Sequence, residues 1–414
     1  MAYQLDVDDK FYAEKYCVNT IIDSLKIYSH ISEYINEYPT EFKKFNDEIL
    51  EYYVKNKQTK RALKYKMFVR DLLQQLVDEA FDDQPQVEAY LAVGGSTVNG
   101  CGSIKADLDL CIVAKNPGIV DRNAALSSDV KKENEFDQNR EFHVDILRKT
   151  YTIFLKHQKK FQYLRFVDVA RVPIISCKLA HPYDDGTLIE INCNNIAGVY
   201  NSHLLHYYAK VDERFPMMAL VLKVWGAKEN IINPMDGRVN AYTMQCMIIH
   251  FLQCATYPPI LPNLWKLFPE FFGGKTPIPA LEFFRDLPSD LPDFHEMKNE
   301  KTVGELIIAF FDYYAKFDYA HDAISLRNAR IFPRYHLLPE FQHWLFFIEE
   351  VYDLLTIPKN LKQAHVLQEI ISKFKNAVDY YLMLRQIPIF RLICPEDVKK
   401  MASDEYNKLP TKTH

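Results

Sequence analysis

The chain has 414 residues, 48% of them hydrophobic and 25% charged, with a formal charge of -5 and a pI near 6.2. That balance excludes a disordered or fibrous chain and a wholly basic nucleic-acid binder, so any contact with nucleic acid has to come from local patches or from a partner. The length leaves room for two or three domains, no apolar run is long enough to span a membrane, and the eight cysteines hold neither a C-x-x-C pair nor a zinc spacing, which reads as a reduced intracellular protein without a signal peptide.

From Asp8 to about Phe81 the pattern is helical and highly charged. Its basic cluster, Lys55, Lys57, Lys60, Arg61, Lys64 and Lys66, reads either as a solvated helix face or as a contact to an RNA backbone. Ala89 to Val93 is an apolar strand that runs into Gly94, Gly95 and Ser96. Backbone N–H groups at such a glycine turn reach phosphate oxygens, and the Ser96 hydroxyl adds another contact. A second apolar strand follows from Leu108 to Val113, where Asp107 and Asp109 sit two apart. The period of two in a strand sends both carboxylates from one face. Paired carboxylates repel unless something positive neutralises them, and oxygen ligands favour a hard ion such as Mg2+ or Mn2+. Another D-x-D, Asp6 and Asp8, lies in a polar stretch with no strand around it.

The charged segment DVKKENEFDQNREFHVDILRK, within Asn116 to Lys160, reads as a helix. Two further strands, Phe166 to Leu179 and Leu188 to Asn194, are joined by Asp184-Asp185-Gly186, a hairpin signal. In the second, Ile189, Ile191 and Cys193 share one face while Leu188, Glu190 and Asn192 share the other. Glu190 is therefore either a solvent-facing acid or a site residue, and Asp168 on the preceding strand competes for the same role. After Tyr200 the chain reads as wholly helical. Lys223 lies in an apolar run, where it either snorkels outward or reaches the phosphates of a substrate in a cleft. Gly237 to Thr243 opens an apolar helix ending near Tyr257, with Tyr242 near its start. Pro258 to Pro292 reads as a connecting loop with a short helix.

The run from Gly95 to Asp109, G-S-x-x-x-G-x-G-x-x-x-x-D-x-D, resembles the signature of the DNA polymerase beta nucleotidyltransferase superfamily in its terminal RNA nucleotidyltransferase branch, the poly(A) and poly(U) polymerases. The resemblance covers about residues 85 to 395 and is strongest at 94 to 113 and 189 to 225. It implies an α+β fold: a small mixed-sheet nucleotidyltransferase catalytic domain over residues 66–198, and a larger all-helical poly(A)-polymerase-associated domain made of residues 1–65 and 199–414. It also implies template-independent addition of nucleotides to an RNA 3' end, with two Mg2+ or Mn2+ ions on Asp107, Asp109 and Glu190. Related enzymes usually have Asp at the third place, just before an Asn-rich loop like the one that holds Asn195. Gly95, Ser96, Asn195 and Lys223 are implied as nucleotide contacts, Ser96 and Lys223 at the triphosphate, with Tyr242 under the base. Ala227 stands where relatives often carry a second basic residue, and Lys228 is adjacent to it.

Residues 302 to 330 resemble the poly(A)-polymerase-associated segment, their apolar residues chiefly core. Residues 346 to 365 line up with the nucleotide-recognition motif: Glu349 and Glu350 form its acidic pair, Val351 replaces Pro, and Lys359 precedes Asn360 where uridine-adding members carry His. The missing His tilts the expectation to ATP and a cytoplasmic poly(A) polymerase. Poly(U) or mixed U/G tailing in RNA silencing is the alternative within the family, and an inactive RNA- or partner-binding scaffold is the alternative outside it. The partners implied are an RNA 3' end, a nucleoside triphosphate and an RNA-binding protein that supplies target choice, with no membrane.

Overall fold

The computed structural model describes residues 26–84, 87–115, 140–170, 172–281, 299–353 and 355–382. Asp6, Asp8 and the part of the charged segment before Arg140 lie outside them. Residues 26–37 are helical and lead into α1 (Pro39–Asn56) and α2 (Lys60–Phe81). The Thr59 side chain starts α2 by accepting from the Ala62 N–H at 3.1 Å.

A five-stranded sheet follows: β1 (Ala89–Gly94), β2 (Leu108–Ala114), then α3 (Arg140–Lys156), β3 (Phe161–Val167), β4 (Ile174–Leu179) and β5 (Ile189–Cys193). The order is β1-β2-β5-β4-β3, with β2 and β5 parallel and every other neighbour antiparallel. One face carries Leu108, Leu110, Ile112, Ile175, Cys177, Ile189 and Ile191, packed under Leu73 and Val77 of α2 and Leu147 and Phe154 of α3. Burying each Leu or Ile fully contributes roughly 1.5–3 kcal/mol, and a one-residue slip of any strand would turn its whole apolar set to the wrong side. Across the other face, Val199 and Tyr200 of α4 (Ile196–Val211), together with Ile278, cover Ala92, Cys111 and Val113.

The strand expected from Phe166 to Leu179 is broken in two. β3 begins earlier, at Phe161, and the chain bends between Val167 and Ile174 before β4 returns antiparallel. The Arg140 guanidinium holds this bend by donating to the carbonyls of Asp168 and Ala170, and Pro173 has no N–H to give a ladder. Asp168 is thus an exposed bend residue beyond the edge strand, not a strand residue beside the acids. The hairpin between β4 and β5 forms as expected: Gly186 takes a φ of +81°, and its N–H donates to Asp184 Oδ1 at 2.7 Å.

The second lobe is predominantly helical, with α5 (Arg214–Lys228), α6 (Ala241–Cys254), α7 (Val303–Lys316) and α8 (Ala364–Leu382). Trp225, Phe251, Phe310, Phe311, Tyr314 and Phe374 lie in its core. The reading of a wholly helical chain after Tyr200 needs correction here. A small sheet, ordered β7-β6-β8, is built from β6 (Asp322–Ser325), β7 (Arg330–Pro333) and β8 (Ile348–Glu349). These strands are too short to show alternation, and Ala323, Phe332, Trp344 and Phe347 give them a core of their own. The pairing of Ser325 with Glu349 brings the recognition segment back onto this lobe. Two four-residue helices, Leu264–Leu267 and Pro269–Phe272, occupy the connecting loop. Among the described residues no helix is long and apolar enough to cross a membrane.

Candidate functional site

Parallel pairing sets Asp109 of β2 directly opposite Glu190 of β5, while Gly94 flanks Asp109 on β1 and Ser176 flanks Glu190 on β4. Residues so paired present their side chains on the same face of a sheet, roughly 5 Å apart. Asp107 is exposed one residue before β2; Asp109 and Glu190 are half-buried. Burial, then Glu190 and then Asp107, push the Asp109 carboxyl up to about 6, with Lys66 and Lys223 pulling the other way. Glu190 is raised as well, by burial first and by Asp107 second. Acids that penalise one another's charge in an all-oxygen setting suit a hard divalent cation. Among the described residues no three His, Cys, Asp or Glu side chains are gathered so that they could hold a metal ion; strand register joins Asp109 to Glu190, with Asp107 one residue before β2.

The glycine turn is locked against them. Gly95 has a φ of +59°, and a β carbon there would meet Asp109 Oδ2 at 1.9 Å, so only glycine fits. Its N–H donates to Ser202 Oγ on α4 at 2.8 Å, and Ser202 donates onward to the Gly198 carbonyl at 2.7 Å. Ser96 is half-buried in the 3-10 turn Gly95–Thr97. Its carbonyl leaves no space for a side chain on Gly102, where a β carbon would come within 2.2 Å.

Lys66 departs from the surface cluster to which its sequence assigned it. It is 1% exposed, and its Nζ donates to Gln58 Oε1 at 3.0 Å, to the Asp107 carbonyl at 3.3 Å and to Thr97 Oγ1 at 3.5 Å. Thr97 itself donates to the Asp107 carbonyl at 3.2 Å. One ammonium therefore ties the α1–α2 link, the glycine turn and the start of β2. Burial lowers the Lys66 pKa, and Asp109 and then Asp107 work against that shift. Lys66 carries no sequence signal beyond its charge.

Lys223 is exposed on α5, and its charge is felt at both Asp109 and Lys66. Lys228 ends the same helix, also exposed. Asn195 precedes α4, half-buried and without a capping bond from its side chain. Asn194, which the sequence reading passed over, takes a φ of +52° and extends the β2 ladder by bonding the Ala114 N–H at 2.9 Å and carbonyl at 3.0 Å.

A second group surrounds the recognition segment. Tyr242, half-buried on α6, donates to Glu350 Oε1 at 3.3 Å. Glu350 also accepts from the backbone N–H groups of Tyr352 at 2.8 Å and Asp353 at 2.6 Å, and from the Asn201 side chain. Burial first, then Asp353, push Glu350 up to about 8. Glu349 is buried under the Ser325 hydroxyl. Both acids of the pair thus build the loop. Asn201 and Ser202, neighbours on α4, hold Glu350 and Gly95 respectively, so one helix turn links this loop to the glycine turn. Lys359 Nζ stands 3.9 Å from Asp353 Oδ2, and Asn360 is exposed, its carbonyl 3.5 Å from where a β carbon on Gly237 would lie.

Residues 45–210 match the family described as poly(A) RNA polymerase, mitochondrial-like, central palm domain, and residues 302–354 match the Cid1 family poly A polymerase. Poly(A) RNA polymerase gld-2 of Caenorhabditis elegans is 32% identical over 289 residues, 69% of this chain and 23% of that protein. Poly(A) RNA polymerase GLD2-B of Xenopus laevis is 32% identical over 312 residues, 74% of this chain and 54% of the relative. The chain thus spans less than two thirds of the length of these curated relatives. Among solved structures, that of the GLD-2/RNP-8 complex aligns with a TM-score of 0.66 at 28% identity, covering 85% of this chain and 98% of that one. The Cid1 poly(U) polymerase bound to MgGTP shares the fold, with a TM-score of 0.60 at 20% identity over 81% of this chain and 94% of that one. With the Gly-Ser turn, the paired aspartates and both family matches in one chain, the protein belongs to the Cid1/GLD-2-like poly(A)/poly(U) RNA polymerase branch of the nucleotidyltransferase superfamily.

Proposed function

We propose that the protein adds nucleotides, preferentially from ATP, to RNA 3' ends. The observation that carries this reading is the register of Asp109 with Glu190, beside Asp107 and against a glycine turn that only Gly95 can make. In the reaction the terminal 3'-oxygen forms a bond to the α-phosphorus, the bond from that phosphorus to the bridging oxygen breaks, and pyrophosphate leaves. Asp107, Asp109 and Glu190 would hold the divalent ions, which when bound activate the 3'-hydroxyl and neutralise the leaving phosphates. Gly95 and Ser96 cradle the triphosphate, Lys223 supplies positive charge to it, Tyr242 lies under the base, and Asn195 and Asn360 add further contacts to the nucleotide. We take residues 66–198 as the catalytic domain and the remainder as the helical domain.

ATP is favoured because the relatives near 30% identity are named poly(A) RNA polymerases and Lys359 precedes Asn360 in place of the uridine-type His. The GLD-2/RNP-8 complex supports a protein partner, and we infer that such a partner delivers the RNA and that the chain works in the cytoplasm. Competition among the four triphosphates at equal concentration on a labelled RNA primer, followed by sequencing of the tails, tests the base. Tails dominated by A support the reading, whereas tails dominated by U, or by U and G, overturn it and leave nucleotidyl transfer standing.

A further inference from the structure

The carboxylate row does not stop at Glu190. Register carries it outward across the sheet: Asp109 pairs with Glu190, Glu190 with Ser176, and Ser176 with Arg165, one residue from each of four strands. One step along the same two outer strands, Tyr163 pairs with Lys178. All of these belong to the face turned away from α2 and α3, whose apolar side chains cover Ile175, Cys177, Ile189 and Ile191 instead. At the β1–β2 end this face is roofed by Val199 and Tyr200. At the β4–β3 end it is open: Arg165 is exposed, Tyr163 is 40% exposed and Lys178 is half-buried. Ser176, between Glu190 and Arg165, adds only a short side chain to the row and is buried. Among the described residues, neither Arg165 nor Lys178 has a carboxylate partner, in a chain whose net charge is negative.

We propose that Arg165 and Lys178, with Tyr163 at the rim, form the track on which the RNA strand lies as it runs back from its 3' end. This inference rests on the 3'-end transfer reading and extends it to the path of the acceptor. Three strand spacings of about 4.8 Å put Arg165 roughly 14 Å from Asp109, about four stacked nucleotides at ~3.4 Å each. Guanidinium and ammonium groups at that distance meet phosphates, and the Tyr163 ring offers a base a stacking surface of no sequence preference. The expected consequence is a length effect: a dinucleotide primer ends before the track, and a ten-nucleotide primer lies across it.

The test compares Arg165→Gln/Lys178→Gln with a matched control, Arg148→Gln/Lys156→Gln, which removes the same charge from α3 on the opposite layer. Anisotropy of a labelled ten-nucleotide RNA, in EDTA so that no turnover occurs, should show binding weakened about tenfold for the first variant only. Its salt slope should fall by about 1.4, or ~0.7 for each lost phosphate contact. In extension assays KM for the ten-nucleotide primer should rise, with kcat and the dinucleotide KM unchanged. Affinity and slope within twofold of the parent, or equal losses in both variants, overturn the track. If the parent extends RNA with none of the four triphosphates, the proposed function fails, while the binding comparison still decides the track.

Discussion

The carboxylate of Asp109 occupies the space in which any side chain on Gly95 would begin, with Oδ2 1.9 Å from the position of a β carbon there. The glycine turn and the strand that carries Asp109 are therefore one unit, and neither can move without the other. Gly95→Ala should cost about 1–2 kcal/mol for the left-handed backbone alone, and should lower primer extension at least ~100-fold by displacing Asp109. Urea unfolding and extension rates check the two parts. Activity within a few-fold of the parent would separate the turn from the acids.

Glu190 is expected to act as a ligand, where a bland surface acid would tolerate any change. Glu190→Ala should abolish extension, and Glu190→Asp should retain part of it or exceed it, since the shorter acid keeps the charge. Full activity in the alanine variant would leave Asp107 and Asp109 to hold the ions unaided, because Asp168 lies out at the sheet edge.

Lys66 should matter for stability as much as for rate. Lys66→Met keeps the volume and leaves the oxygens of Gln58, Thr97 and Asp107 without their shared donor, a loss of about 1–3 kcal/mol in urea unfolding. A change below ~0.5 kcal/mol would show that those oxygens find other partners.

The recognition loop should make stability depend on pH. Burial holds Glu350 at about 8, well above its ordinary 4.5, with Asp353 adding to the shift against the Tyr352, Asp353 and Asn201 bonds. The folded chain therefore keeps a proton that the unfolded chain has released between these values, so stability falls as pH rises through that window. Glu349, raised to about 7 chiefly by burial, adds to the same slope. Glu350→Gln can keep the backbone bonds without the charge and should flatten part of the fall. Unfolding free energies from pH 5 to 8.5 measure it; parallel curves for parent and variant would contradict it.

Much of this architecture is legible in local pattern. The apolar run after Asp107, the glycines before it and the alternation around Glu190 are features of a few consecutive residues, and period two turns them into strand faces. Pairing is another matter. That β5 lies parallel to β2 with Glu190 opposite Asp109, and that Asp168 falls beyond β3, depends on which strands become neighbours, a property of the whole sheet. Lys66 looked like its charged neighbours because only tertiary packing puts Gln58, Thr97 and Asp107 around it. β6 and β7, of four residues each, and β8, of two, escaped notice because strands this short show no period.

Extension of a labelled RNA primer by the parent and by Asp109→Asn, with Mg2+ or Mn2+ and again with EDTA, tests nucleotidyl transfer at this site most directly. The expected result is metal-dependent extension by the parent, abolished by EDTA and reduced at least ~100-fold in the variant, about 2.7 kcal/mol in barrier terms, with the fold intact by thermal unfolding. Extension by Asp109→Asn within a few-fold of the parent, or none by the parent with any triphosphate and either ion, would contradict it.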